Sequence, residues 1–167
     1  MYTTDTSRAL AVLLKEIVEG IEPGGGGFVL NSGDVGLLRS LEKITADDAS
    51  RSTHGGATIA AHAQHLRYGL SLMNRWGRDG GNPFADAQWD AAWRITAVSD
   101  DEWREIRQGL ADEARAWRDV VGSPREASEV ELTGLAASIV HLAYHLGAIR
   151  QIARETRGPR EGTFSAS

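Results

Sequence analysis

Apolar residues recur at steps of three and four in four long stretches of this chain, the period of a helix with one buried face. The first stretch runs from about Thr4 to Gly20. It carries Leu10, Leu13, Leu14, Ile17 and Val18, with Ile21 just beyond, and Gly20 and Pro23 supply a stop signal. The second runs from about Ala57 to Arg78, with Ile59, Ala63, Leu66, Leu70 and Met73 on one stripe, and Gly80-Gly81-Asn82-Pro83 ends it. The third opens on Ser99-Asp100-Asp101-Glu102, a capping-box pattern in which the serine accepts from an early backbone N–H and the glutamate reaches back. Trp103, Ile106, Leu110, Ala114, Trp117 and Val121 follow, until Gly122 and Pro124 stop the helix. The fourth opens on the same signal, Ser128-Glu129-Val130-Glu131, and steps through Leu132, Leu135, Ile139, Leu142, Leu146, Ile149 and Ala153 to Gly158-Pro159.

The connections are less regular. Gly24 to Gly27 are four consecutive glycines. A phosphate-binding loop needs a lysine and a hydroxyl directly after its glycines. Phe28-Val29-Leu30 follows instead, so a flexible connector is expected. Asn31 or Ser32 is placed to cap a short helix through Ile44, with Leu37, Leu38, Leu41 and Ile44 on its buried side. Thr45 to Gly56 reads as a polar loop whose His54 is solvated. In Phe84 to Val98, Trp89 and Trp93 stand four apart, which allows a short helix. Such a segment either folds back as a lid or anchors the loop on the helices. No strand pattern competes. The expected architecture is all-α: a four-helix bundle with a short accessory helix and long connections between its first and second and its second and third helices. Residues 1–158 form its single domain, and 159–167 form a flexible C-terminal tail.

Composition narrows the function. At 167 residues the chain buries an ordinary core without disulfides or a structural metal. A net charge of −5, with only Lys15 and Lys43 as lysines, speaks against nucleic acid, because phosphate binding requires clustered positive charge. There is no cysteine, which excludes a disulfide framework, a zinc ribbon, an iron–sulfur cluster and an internal thiol nucleophile. No basic-then-apolar leader opens the sequence, and its uninterrupted apolar runs are far shorter than a membrane span. A cytoplasmic protein without a membrane or nucleic-acid partner is expected.

The histidines are the candidate chemistry. Four of the five fall into two helical pairs, His62 with His65 and His141 with His145. A four-residue step sets two imidazoles one turn apart on nearly the same helix face, the spacing at which a helix offers two nitrogens to one metal. His141 and His145 flank the leucine stripe of the fourth helix, and His65 sits at the matching edge of the second. If those helices are neighbours, three imidazoles converge. Three neutral imidazoles suit a single divalent ion (zinc, nickel, copper or iron) with an open position for water or substrate. A dinuclear carboxylate centre would need a Glu-x-x-His step, and none of the paired histidines has one. A zinc-protease motif would need His-Glu-x-x-His, also absent. His62 is compatible with a fourth ligand, a proton shuttle, a residue that orients a ligand, or simple packing.

These residues also resemble a known family. Thr58-Ile59-Ala60-Ala61-His62-Ala63-Gln64-His65-Leu66 looks like the second-helix motif of the DinB-like (YfiT-like) metal-dependent bundle superfamily, where the ligand histidine stands seven residues after a threonine and before an aliphatic residue. His141-Leu142-Ala143-Tyr144-His145-Leu146-Gly147 looks like its fourth-helix His-x-x-x-His motif. The resemblance covers most of the chain in helix order and length, and it implies His65, His141 and His145 as the metal ligands. The chain departs from the pattern at Ala148, where many members carry a glutamine, with Gln151 a turn later. Some relatives in that superfamily are S-transferases using mycothiol, bacillithiol or glutathione, others are mycothiol-using isomerases, and many have no known activity. The resemblance therefore implies zinc or nickel, an external low-molecular-weight thiol and a small-molecule substrate. The alternatives are a metal-dependent hydrolase and a non-catalytic bundle, for dimerisation or stress response, with a structural or vestigial metal. Tyr68, Trp76, Trp89 and Trp93 are candidates to line a cleft, and Arg67 or Arg150 to pair a substrate carboxylate. Apolar helix faces of this kind often pair, so a homodimer is expected.

Overall fold

The structure, a computed structural model, describes residues 4–53 and 55–159; His54 and residues 160–167 of the expected tail lie outside the described residues. Among the described residues every regular element is helical. In chain order these are α1 (Thr4–Glu19), α2 (Gly36–Glu42), α3 (Ala46–Ala49), α4 (Ile59–Asp79), α5 (Asp90–Trp93), α6 (Asp100–Gly122) and α7 (Glu129–Ile152), followed by a 3-10 turn at Arg154–Thr156. The four long periodic stretches are α1, α4, α6 and α7. Both expected capping boxes form, at Ser99 with Glu102 and at Ser128 with Glu131. Thr58 caps α4 by accepting from Ala61 N–H at 3.1 Å, and its hydroxyl donates to Ile95 O at 3.0 Å, which ties the start of α4 to the end of the tryptophan-bearing connection.

The long helices pack as a ring. α4 lies against both α6 and α7, and α1 lies against both as well, so the order around the core is α1, α6, α4, α7. The second and fourth long helices, α4 and α7, are therefore neighbours. Consecutive α6 and α7 sit diagonally and meet where Trp117 Nε1 donates to Ser138 Oγ at 2.8 Å. Trp103, Trp117, Leu14, Leu66, Leu110 and Leu142 are among the most deeply buried side chains. Burial of each such apolar side chain stabilises the fold by roughly 1.5–3 kcal/mol. Both core indoles keep a hydrogen bond, since Trp103 Nε1 donates to Ile44 O at 2.8 Å. By length and composition α7 could cross a membrane; here its Leu135, Leu142, Leu146 and Ile149 face the protein core.

The connection after α1 is tightly held rather than slack. The buried Glu16 carboxylate accepts from the backbone N–H groups of Phe28, Val29 and Leu30 at 2.6–3.1 Å. Three donors converging on one charge offset the cost of burying it. Gly20 and Gly36, both at positive φ, face each other so closely that a Cβ on either would strike the other's backbone segment. Neither Asn31 nor Ser32 caps α2. Asn31 O accepts from Asp34 N–H and Ser32 Oγ from Gly24 N–H, so both serve the turn, and α2 begins later, after Val35. Asp34 Oδ1 accepts from Gly36 N–H at 2.8 Å and from Arg150 Nη2 at 2.7 Å, a fully buried ion pair that joins this connection to α7. The expected polar loop after Thr45 contains α3, capped by Thr45 Oγ1 accepting from Asp48 N–H at 3.1 Å. α7 ends at Ile152, six residues before Gly158, because Ala153 turns extended and Arg154–Thr156 tightens into the 3-10 turn.

Candidate metal centre

The α4–α7 contact brings the histidines together. His65 on α4 and His145 on α7 are buried, and His62 and His141 are half-buried. His65 Nε2 lies 3.2 Å from His141 Nε2, and His145 Nε2 lies 3.0 Å from the same atom. Two nitrogens bound at about 2.0–2.1 Å to one ion stand about 2.9 Å apart at a right angle and about 3.4 Å apart at the tetrahedral angle. The observed separations fall in that interval. His65, His141 and His145 thus sit close enough together that they could hold one metal ion.

The protonation chemistry fits the same conclusion. Burial pushes all four paired histidines below the ordinary imidazole value, His65 to about 4 and His145 to about 3, with the neighbouring imidazoles adding to the effect at those two. At neutral pH each ring is neutral and carries one lone pair, the form a metal requires. His141 Nε2 faces two other ring nitrogens, and a single proton on any one of them cannot satisfy both contacts. A cation at the centre satisfies all three lone pairs at once.

His62 stands behind this cluster. Its Nδ1 lies 2.8 Å from His145 Nδ1. If His145 offers Nε2 to the centre, its proton must sit on Nδ1 and be donated to His62 Nδ1, which fixes the tautomers of both rings. His62 falls outside the group of three, and this contact places it against His145. His65 Nδ1 is buried and has no hydrogen-bond partner among the described residues. The tryptophan connection closes over the cluster. Trp93 stacks on His65 with ring centroids 4.3 Å apart and an interplanar angle of 29°, and meets His62 edge-on at 5.4 Å. Trp89 lies 5.5 Å from His65. Tyr68 props this segment, its hydroxyl accepting from Gln88 N–H at 2.9 Å.

Other expected participants lie elsewhere. Arg150 is buried against Asp34, so its charge is already neutralised and it is not placed to pair a substrate carboxylate. Arg67 reaches toward α6, 3.7 Å from Glu105 and over Gly109, where any Cβ would collide with it. Trp76 packs into the space left by Gly134 on α7. Gln151 accepts from Arg157 Nη2 at 3.3 Å. Periodicity did not single out Phe84, Val140 and Tyr144, which line a groove of about 540 Å³ between α4 and α7 that opens on His141. The signal was present: Val140 and Tyr144 are large apolar residues on a helix whose core stripe was already complete.

Comparison with protein-family models, with curated proteins and with solved structures finds no match. The fold and the site define a helical protein with a three-imidazole pocket that could hold a metal.

Proposed function

We propose that this chain is a DinB-like four-helix bundle and a metal-dependent enzyme: a transferase that uses a small external thiol, with one divalent ion, zinc or nickel, held by His65, His141 and His145. The observation that carries the reading is the approach of three neutral Nε2 atoms to one point beside an open apolar groove. The four long helices and their order, with α4 beside α7, agree with the motif resemblance.

When bound, the ion would coordinate the sulfur of a thiol and lower its pKa, which supplies a nucleophile that a chain without cysteine cannot provide itself. The remaining roles belong to the protein. His65, His141 and His145 present lone pairs because burial keeps them neutral. His62 holds the proton at His145 Nδ1 and so keeps His145 Nε2 free for the centre. Trp93 and Trp89 cover the His65 side and exclude water from it.

Elemental analysis of untagged protein, beside a His141→Ala/His145→Ala variant, tests the site. About one zinc or nickel per chain, lost in the variant, is expected, followed by turnover of an electrophile only when mycothiol, bacillithiol or glutathione is added. Turnover without thiol would replace transfer by hydrolysis. A parent that takes up no divalent ion would refute the metal centre.

A further inference from the structure

The groove beside His141 is chemically unlike the rest of the surface. It is lined by Leu70 and Met73 of α4, Phe84 and Trp89 of the connection after it, and Val140 and Tyr144 of α7. Phe84 and Trp89 stack at 5.9 Å with an interplanar angle of 28°. Among the described residues no charged side chain lines the groove. Ser138, also at its edge, already accepts from Trp117 and donates to Leu135 O. Among the described histidines His141 alone lines the groove, while Trp93 lies against His65, His62 and His145. At about 540 Å³ the space has the size of a small-molecule site rather than of a chain-docking surface.

From this we infer that the groove is the substrate-specificity site and that it takes an uncharged aryl group whose polar head reaches the metal past His141. The inference rests on the metal reading above for its head-group half alone. An aryl ring suits a lining of aromatic and aliphatic side chains, and an ionised substituent would lie there without a charged partner. Selectivity among substrates therefore follows the apolar part of the molecule.

Two titrations test this. In metal-free protein, the neutral fluorophore N-phenyl-1-naphthylamine is expected to bind at one saturable site. Ala137→Trp, which places an indole in the groove from an exposed position on α7, is expected to weaken that binding at least tenfold. Val140→Trp serves as a second blocking variant from another exposed position. In zinc-loaded protein, 4-phenylimidazole is expected to bind at least tenfold more tightly than imidazole, with the difference lost and the zinc content retained in Ala137→Trp. Unchanged fluorophore binding in both variants, or equal affinity for the two imidazoles, would overturn the inference. So would fluorophore binding that fades as the protein dimerises in sedimentation, because a second copy would then be the occupant. In a parent that takes up no zinc, the metal reading fails, and the fluorophore titration alone decides the groove.

Discussion

Replacing His62 by phenylalanine separates a ligand from a residue that orients one. In the structure His62 Nδ1 is 2.8 Å from Nδ1 of the buried His145. Without metal, a His145 facing the substituted phenyl ring can move its proton to Nε2 and donate it toward His141 Nε2, 3.0 Å away. Metal binding forbids that tautomer, because Nε2 must then offer its lone pair. The proton is forced onto Nδ1 with no acceptor left, and a buried unsatisfied donor costs about 1–3 kcal/mol. That cost falls on the metal-bound state, so affinity is expected to drop about 5- to 150-fold, in line with the effect of removing a group that orients a histidine ligand. Competition against a chromophoric zinc chelator measures it, with circular dichroism to check that the helices are intact. His62→Gln keeps an acceptor and is expected to recover part of the loss. Affinity within twofold of the parent for His62→Phe would refute the tautomer argument. A loss as complete as that of His65→Ala would refute it from the other side, since His62 would then be a ligand.

Three further outcomes follow from the same geometry. Asp34→Ala breaks the buried ion pair with Arg150 and is expected to destabilise the protein by about 3–5 kcal/mol in urea unfolding; a change below 1 kcal/mol, about the most an exposed pair contributes, would show that the pair is solvated in solution. Ser138→Ala leaves the buried Trp117 N–H without its acceptor and is expected to cost about 1–3 kcal/mol, while Ser123→Ala, at an exposed site, is expected to be near neutral by the same measurement. The third is the pH dependence of the metal-free protein. His65 and His145 titrate near 6.5 when unfolded but at about 4 and about 3 when folded, so between those values the unfolded chain binds more protons. Thermal stability is therefore expected to be level above pH 7, to fall as pH drops through 6.5 toward about 4, and to fall less in His65→Ala/His145→Ala. A melting temperature independent of pH across that window would contradict the burial of neutral imidazoles.

What the chain encodes locally was legible without a structure. The long helices, their two capping boxes and the short turn of helix around Trp93 depend on neighbours within a few residues, and periodicity and cap chemistry report such neighbours directly. The His-x-x-x-His step is local in the same sense, since helix geometry alone puts His141 and His145 on adjacent turns. The remaining features join residues distant in sequence. Whether His65 meets that pair depends on α4 packing beside α7, and 76 positions separate His65 from His141. The Asp34–Arg150 pair spans 116 positions, and the Glu16 carboxylate grips backbone 12 to 14 residues away. In sequence each of these is one charged residue beside an apolar stripe, a pattern shared by solvated residues. The role of His62 was likewise left open by spacing, because a side chain one turn from a ligand can bind, relay, orient or merely pack. Only the packing of α4 on α7 sets His62 Nδ1 opposite His145 Nδ1 and His65 Nε2 opposite His141 Nε2.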